Sequence, residues 1–93
     1  MSSYTKGYRF EKRVQKYFEK EGWVVFRQGK SSFPDLIAIK KGVFCFIECK
    51  YSKKGKGYLS KEEVTRGREI AIKTGGKFIK ATNEKRKILL EEL

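Results

Sequence analysis

Apolar residues recur along this chain with two different periods, and the switch between them marks its elements. Phe10, Val14, Tyr17 and Phe18 stand at i, i+4, i+7 and i+8, the stripe of an amphipathic helix over residues 5–21. Lys12, Arg13, Lys16 and Lys20 cover its outer side, and Gly22 is the residue type that closes a helix. Residues 23–27 read as a short strand. Two runs follow, 36–40 and 43–48, in which positions of both parities are apolar. A strand apolar on both faces belongs in the middle of a covered sheet. Lys41-Gly42 between them reads as the tight turn of a β-hairpin, with glycine supplying a positive φ. Ser60 and Glu63 form a capping box that opens a second helix, and Gly75-Gly76 ends it. Its inward positions Val64, Gly67, Ala71 and Thr74 are small, which suits close packing on a sheet. Residues 77–82 give a last strand, and Asn83 is the expected cap of a short C-terminal helix carrying Ile88, Leu89 and Leu90.

The expected order is α-β-β-β-α-β-α. It describes an α/β fold, a single small domain over residues 1–93, with a mixed β-sheet built round a central hairpin and flanked by helices. A chain of 93 residues buries only ~60–65% of its unfolded surface, so self-association is a plausible way to cover more.

The hairpin also places charges. If Lys40 pairs with Val43, Asp35 falls opposite Glu48, with Cβ atoms ~5 Å apart on one face. Lys50, two residues on, points to the same face. An acid and a lysine on a strand are often only a solvated ion pair. Here Ile37, Ile39, Phe44 and Phe46 share the face, so the charges sit at the end of a buried hairpin. Two acids there need a metal or another partner to offset desolvation. On the first helix, Glu11 lies at the edge of the apolar stripe. It is either a snorkelling surface glutamate or the one acid of that helix aimed at the sheet.

The chain carries a formal net charge of +12 and no histidine. The missing histidine excludes Ser-His-Asp and Cys-His catalysis and most zinc sites. Any hydrolysis must use carboxylates, lysine and a hard cation such as Mg²⁺. The charge makes nucleic acid the default partner. An anionic membrane needs a lipid-facing helical stripe, which both helices here spend on the sheet. No apolar run approaches a membrane span and no signal peptide is expected. Cys45 and Cys49, four apart on one strand face, suit neither a disulfide nor a metal knuckle, and reduced cysteines point to the cytoplasm. The segment from Tyr51 to Tyr58 holds Lys53, Lys54 and Lys56 with two glycines and a tyrosine at each end, and it follows Lys50 directly. It reads as a DNA-contacting loop rather than a plain linker. With Arg27, Lys30 and the lysines of the first helix it makes a basic patch for phosphate.

A helix with an inward glutamate, then Pro34-Asp35, then Glu48-Cys49-Lys50 across a hairpin resembles the restriction-endonuclease-like nuclease superfamily. Within it the chain is similar to the archaeal-type Holliday junction resolvases. The similarity runs over residues 6–81, from Lys6-Gly7 and Glu11, through Arg27 and a connector with Ser31, to Pro34-Asp35-Leu36, Ile47-Glu48-Cys49-Lys50 and Gly75-Gly76. It implies that Asp35 and Glu48 ligate Mg²⁺, with Mn²⁺ as a substitute and the Cys49 backbone carbonyl as a further ligand. It implies that Lys50 activates water and stabilises charge on phosphate, and that Glu11 completes the metal shell through water. Arg27 and Ser31 would hold phosphate. The substrate implied is a four-way DNA junction in recombination and repair, whose two equivalent strands suit a homodimer. Ile88, Leu89 and Leu90 are the expected interface. The chain departs from the family in reading Lys61-Glu62-Glu63 where members often carry a glutamine. Many members also run on past its last residue.

Three functions compete: a junction-resolving endonuclease, a general nuclease of the same superfamily acting on flaps, ends or duplex, and a non-catalytic basic DNA-binding module. The last gains nothing by placing carboxylates where phosphates approach.

Overall fold

The computed structural model describes residues 3–29, 32–55 and 57–93, with side chains from residue 6 onward; Lys30, Ser31 and Lys56 lie outside the described residues. Helix α1 (Ser3–Lys20) leads into β1 (Val24–Arg27), β2 (Leu36–Lys40) and β3 (Val43–Lys50). Helix α2 (Lys61–Thr74) then crosses to β4 (Lys77–Glu84), which turns back as β5 (Lys87–Glu92). The strands form one sheet in chain order, antiparallel throughout except for the parallel β3–β4 pair that α2 connects.

The central hairpin has the expected register: Lys40 pairs with Val43 and Leu36 with Ile47. Lys41 and Gly42 have φ of 49° and 80°. Positive φ at both turn residues matches the turn type that follows the twist of its strands. Leu36, Ala38, Cys45 and Ile47 face α1 and pack with its Phe10, Val14 and Phe18. Phe46 and Phe78 point the other way, into a second cluster with Leu59, Ile37, Val64 and Ala71 beneath α2. A Cβ on Gly67 would collide with the Phe78 ring, so glycine sets how closely α2 approaches the sheet. Thr74, expected to face inward, is exposed and hydrogen-bonds the Ile70 carbonyl at 2.7 Å in the last turn.

The C-terminus differs from expectation. No helix follows Asn83; β4 runs on to Glu84, the chain turns at Lys85 (φ 56°), and β5 pairs back, giving α-β-β-β-α-β-β. The reason is that this tail has apolar positions for two faces rather than one stripe. Ile88 packs on the α1-side core, while Leu93 packs in the α2-side cluster and donates its amide to the Phe78 carbonyl at 2.9 Å. A helix this short is marginal alone, whereas a strand can borrow hydrogen bonds from β4. Asn83, buried, is no helix cap: it accepts from the Ser52 amide at 2.9 Å and donates to the Ser52 carbonyl at 2.7 Å.

Helix α2 lies over β3 and β4. The same sheet face on β1 and β2 is left without a helix, and Val24 and Phe26, with Phe44 from the start of β3, are exposed there.

Candidate active site

Asp35 stands immediately before β2, directly across the hairpin from Glu48. The two are locked through each other's strand. The Asp35 amide donates to Glu48 Oε1 at 3.1 Å, and the Cys49 amide donates to Asp35 Oδ2 at 2.9 Å. Each carboxylate thus keeps one oxygen on the backbone of the other's strand and leaves the second without a backbone partner. Lys50 Nζ lies 3.6 Å from Glu48 Oε2. Side-chain alternation puts all three on the α2 side of the sheet, as the sequence indicated.

Burial dominates their chemistry. Glu48 is only 6% exposed, and desolvation together with the Asp35 charge pushes its pKa up to about 8. Asp35 is raised as well, first by desolvation, while the Cys49 amide and Lys50 oppose the shift. Two adjacent carboxylates, Glu48 buried and Asp35 half-buried, therefore share a shortage of positive charge that one lysine does not fill. The donor set is oxygen only, which fits a hard divalent cation that keeps several waters and takes one or two carboxylates. Among the described residues no third acid, histidine or cysteine joins them in a metal-holding group.

Glu11 comes from the first helix, as expected, and its direct partner is a cation. It approaches from α1 and pairs with Arg27 at 3.3 Å, on the opposite face of the sheet from Asp35 and Glu48. Desolvation, then the Asp35 charge, raises its pKa, so the two acids feel each other. Arg27 also stacks 4.6 Å from the centre of the Tyr8 ring, and its Nε is buried with no hydrogen-bond partner. The guanidinium is held by Glu11 and Tyr8 at the end of β1, beside the connector that leads to Asp35. Cys49 contributes its amide, and burial pushes its thiol well above the ordinary range, as it does for Cys45. Both thiols are free.

The sequence did not reveal the partner of Lys50. Its shortest contact is Glu63 Oε2, at 2.8 Å, from the first turn of α2. The capping box was legible, with Ser60 Oγ accepting from the Glu63 amide at 3.1 Å and Glu63 Oε1 accepting from the Ser60 amide at 3.0 Å. That the same carboxylate reaches across to Lys50 was not, because it depends on how α2 crosses the sheet. Burial lowers the Lys50 pKa, but the hydrogen bond to Glu63 and the charge of Glu48 raise it further, so the ammonium stays protonated.

The loop after Lys50 is folded rather than slack. Ser52 is clamped to Asn83, the Gly55 amide donates to the Ser52 carbonyl at 2.9 Å, and a Cβ on Gly57 would come within 2.9 Å of the Lys50 carbonyl. Lys53 and Lys54 are exposed on it. Lys53 lies beside Lys6 of α1, and this contact with a like charge lowers the Lys6 pKa. Lys6, Arg9 and Arg13 line a shallow cleft with Phe10 and Tyr51. Loop and helix thus form one continuous basic surface.

A sheet with helices on both faces and an Asp/Glu/Lys set across its central hairpin has the architecture of the restriction-endonuclease-like fold class. Comparison with known proteins narrows this: the family described as archaeal Holliday junction resolvase (Hjc) matches residues 2–92, and the chain belongs to that family. It is 40% identical over 74 residues to the crossover junction endodeoxyribonuclease Hjc of Methanocaldococcus jannaschii, covering 80% of this chain and 56% of that protein. It is 37% identical over 85 residues to the protein of the same name from Sulfolobus acidocaldarius, covering 84% and 59%. The chain thus spans a little over half the length of the curated relatives it matches. The solved structure of Archaeoglobus fulgidus Hjc, a Holliday junction resolvase from an archaeal hyperthermophile, superposes with a TM-score of 0.78 at 25% identity. That match covers 90% of this chain and 73% of the other.

Proposed function

We propose that this chain is a metal-dependent endodeoxyribonuclease that cuts four-way DNA junctions. The observation that carries the reading is the interlocked Asp35–Glu48 pair with Lys50 beside it on a strongly basic domain. The family match supports the choice of substrate. Carboxylates at a phosphate-binding surface repel DNA, so they earn their place only through chemistry.

Asp35 and Glu48 would hold the ion, Mg²⁺ or Mn²⁺, with the Cys49 carbonyl near enough in the chain to assist. When bound, such an ion supplies charge that acidifies water and stabilises the phosphorane-like transition state. Lys50 keeps an ammonium proton free to bond the attacked phosphate or to orient the incoming water. Arg27, fixed by Glu11 and Tyr8, binds the neighbouring phosphate, which gives Glu11 a supporting role through Arg27. Lys53, Lys54 and the α1 cations grip an arm of the junction through its backbone, a mode that reads shape rather than sequence.

Two symmetric cuts call for two copies of the site. The bare face of β1 and β2, with Val24, Phe26 and, from β3, Phe44 exposed, is better suited to a second copy than the C-terminal residues, because Ile88 is already committed to the core. Two free cysteines, Cys45 buried and Cys49 partly so, suit a reducing cytoplasm.

The test is a strand-specific cleavage assay with a labelled four-way junction and a linear duplex of the same arms. Paired, metal-dependent nicks near the branch point support the reading. Equal cutting of the linear duplex would favour a general nuclease, and binding without cutting at any divalent ion concentration would leave a DNA-binding module.

A further inference from the structure

We propose that Glu63 is a positioning residue for the reaction, holding the Lys50 ammonium in line with the Asp35–Glu48 pair; this rests on the nuclease reading above. The carboxylate is used at both ends. Oε1 takes the Ser60 amide at 3.0 Å, which fixes Glu63 to the N-terminus of α2, and Oε2 takes Lys50 Nζ at 2.8 Å. The Lys50–Glu48 distance is longer, at 3.6 Å, so Glu63 rather than Glu48 sets where the ammonium sits.

Geometry explains why a second anchor is needed. Lysine ends a flexible four-carbon stem whose rotamer freedom must be given up if the charge is to occupy one place. Lys50 is the last residue of β3, where the ladder stops guiding the chain and the loop begins. The neighbouring helix is itself held close by Gly67 on Phe78, so the anchor moves little. An ammonium has three donors. Glu63 takes one, Glu48 attracts the ammonium as an ion pair at 3.6 Å, and the remaining donors are left for phosphate or water. The helix supplies a fixed arm, and Lys50 becomes a pre-set donor instead of a tethered charge.

A plain cap role is the alternative, and Glu63→Gln separates the two. Glutamine keeps the N3 acceptor of a capping box, but it presents an amide NH₂ to Lys50 where the anionic oxygen was. Ser60→Ala does the reverse, weakening the cap while leaving the Glu63 charge in place. For Glu63→Gln we expect unchanged melting, junction affinity within about threefold of wild type, and a single-turnover rate at saturating junction about ten- to a hundredfold lower. For Ser60→Ala we expect lower melting with a near wild-type rate. Wild-type rate in Glu63→Gln, or rate losses in both variants that follow their stability, would overturn the proposal.

A second readout needs no cleavage. In ¹H–¹³C spectra of the free protein, the two Lys50 Cε protons should be distinct in wild type and averaged in Glu63→Gln. Identical Lys50 spectra in the two proteins would also overturn it. If wild type proves inert on junctions, the nuclease reading fails by itself and these spectra still decide whether Glu63 places Lys50.

Discussion

Asp35 and Glu48 each depend on the backbone of the other's strand: the Asp35 amide holds Glu48, and the amide beside Glu48 holds Asp35. The pair is rigid because the hairpin is rigid, and it is acid-rich in a place that burial makes hostile to charge.

A cost in stability follows, and its pH dependence has a definite sign. Glu48 has a folded-state pKa of about 8 against an ordinary 4.5, so between those values the folded form keeps a proton that the unfolded form has lost. Stability is then full at low pH and is lost as pH rises through about 8. In metal-free buffer, melting should be higher at pH 6 than at pH 8.5. Glu48→Gln should reduce that slope, stabilise the metal-free protein at pH 8.5 by a few kcal/mol at most, and abolish cleavage. Added Mg²⁺ should raise the wild-type melting temperature at pH 8.5 and leave Glu48→Gln unmoved. Calorimetry across pH, with and without the ion, checks all of this.

Lys50→Ala should lose cleavage by two orders of magnitude or more while still binding junctions. Lys50→Arg should not rescue it. A planar guanidinium cannot take the place of a compact ammonium between Glu48 and Glu63, where the contacts are 3.6 and 2.8 Å. Near wild-type rates for Lys50→Arg in a single-turnover assay would reduce Lys50 to a nearby charge.

Junction binding should be electrostatic and blind to arm sequence. Log affinity should fall with log salt by about 0.9 for each phosphate contact. Replacing Lys53, Lys54 and Lys56 together with alanine should lower affinity and flatten that slope. Asn83→Ala should do so partly, by freeing the root of the loop from β4. Titrations at several salt concentrations measure both. A loop that is only a linker would leave the slope untouched.

The bare β1–β2 face should mediate self-association. Phe26 is 55% exposed on that face, and Val24 60%, so Phe26→Lys should shift a dimer to monomer in light scattering without lowering the melting temperature of the monomer. Leu90→Lys, on the far edge strand, should leave the dimer intact. The opposite result would return the interface to the C-terminal residues.

The sequence by itself determined what local chemistry can determine. The period of Phe10, Val14 and Phe18, the glycine of the Lys41-Gly42 turn and the two-faced apolar runs beside it decide helix, hairpin and register. Register alone brings Asp35, Glu48 and Lys50 onto one face, because side chains alternate along a strand and a slip would bury the wrong set. The capping box of Ser60 and Glu63 is local in the same way. The tertiary structure decided what depends on distant partners. Lys87–Glu92 became a strand because β4 offers an open ladder and each sheet face offers a cluster for this tail to join, neither of which is written in six residues. Glu11 pairs with Arg27, and Glu63 meets Lys50, because both contacts depend on where a helix crosses a sheet. That crossing is set by packing such as Gly67 on Phe78, a contact between residues eleven apart in the chain and on different elements. Pattern along the chain fixes direction and face; only close packing fixes which side chains on neighbouring elements come within reach.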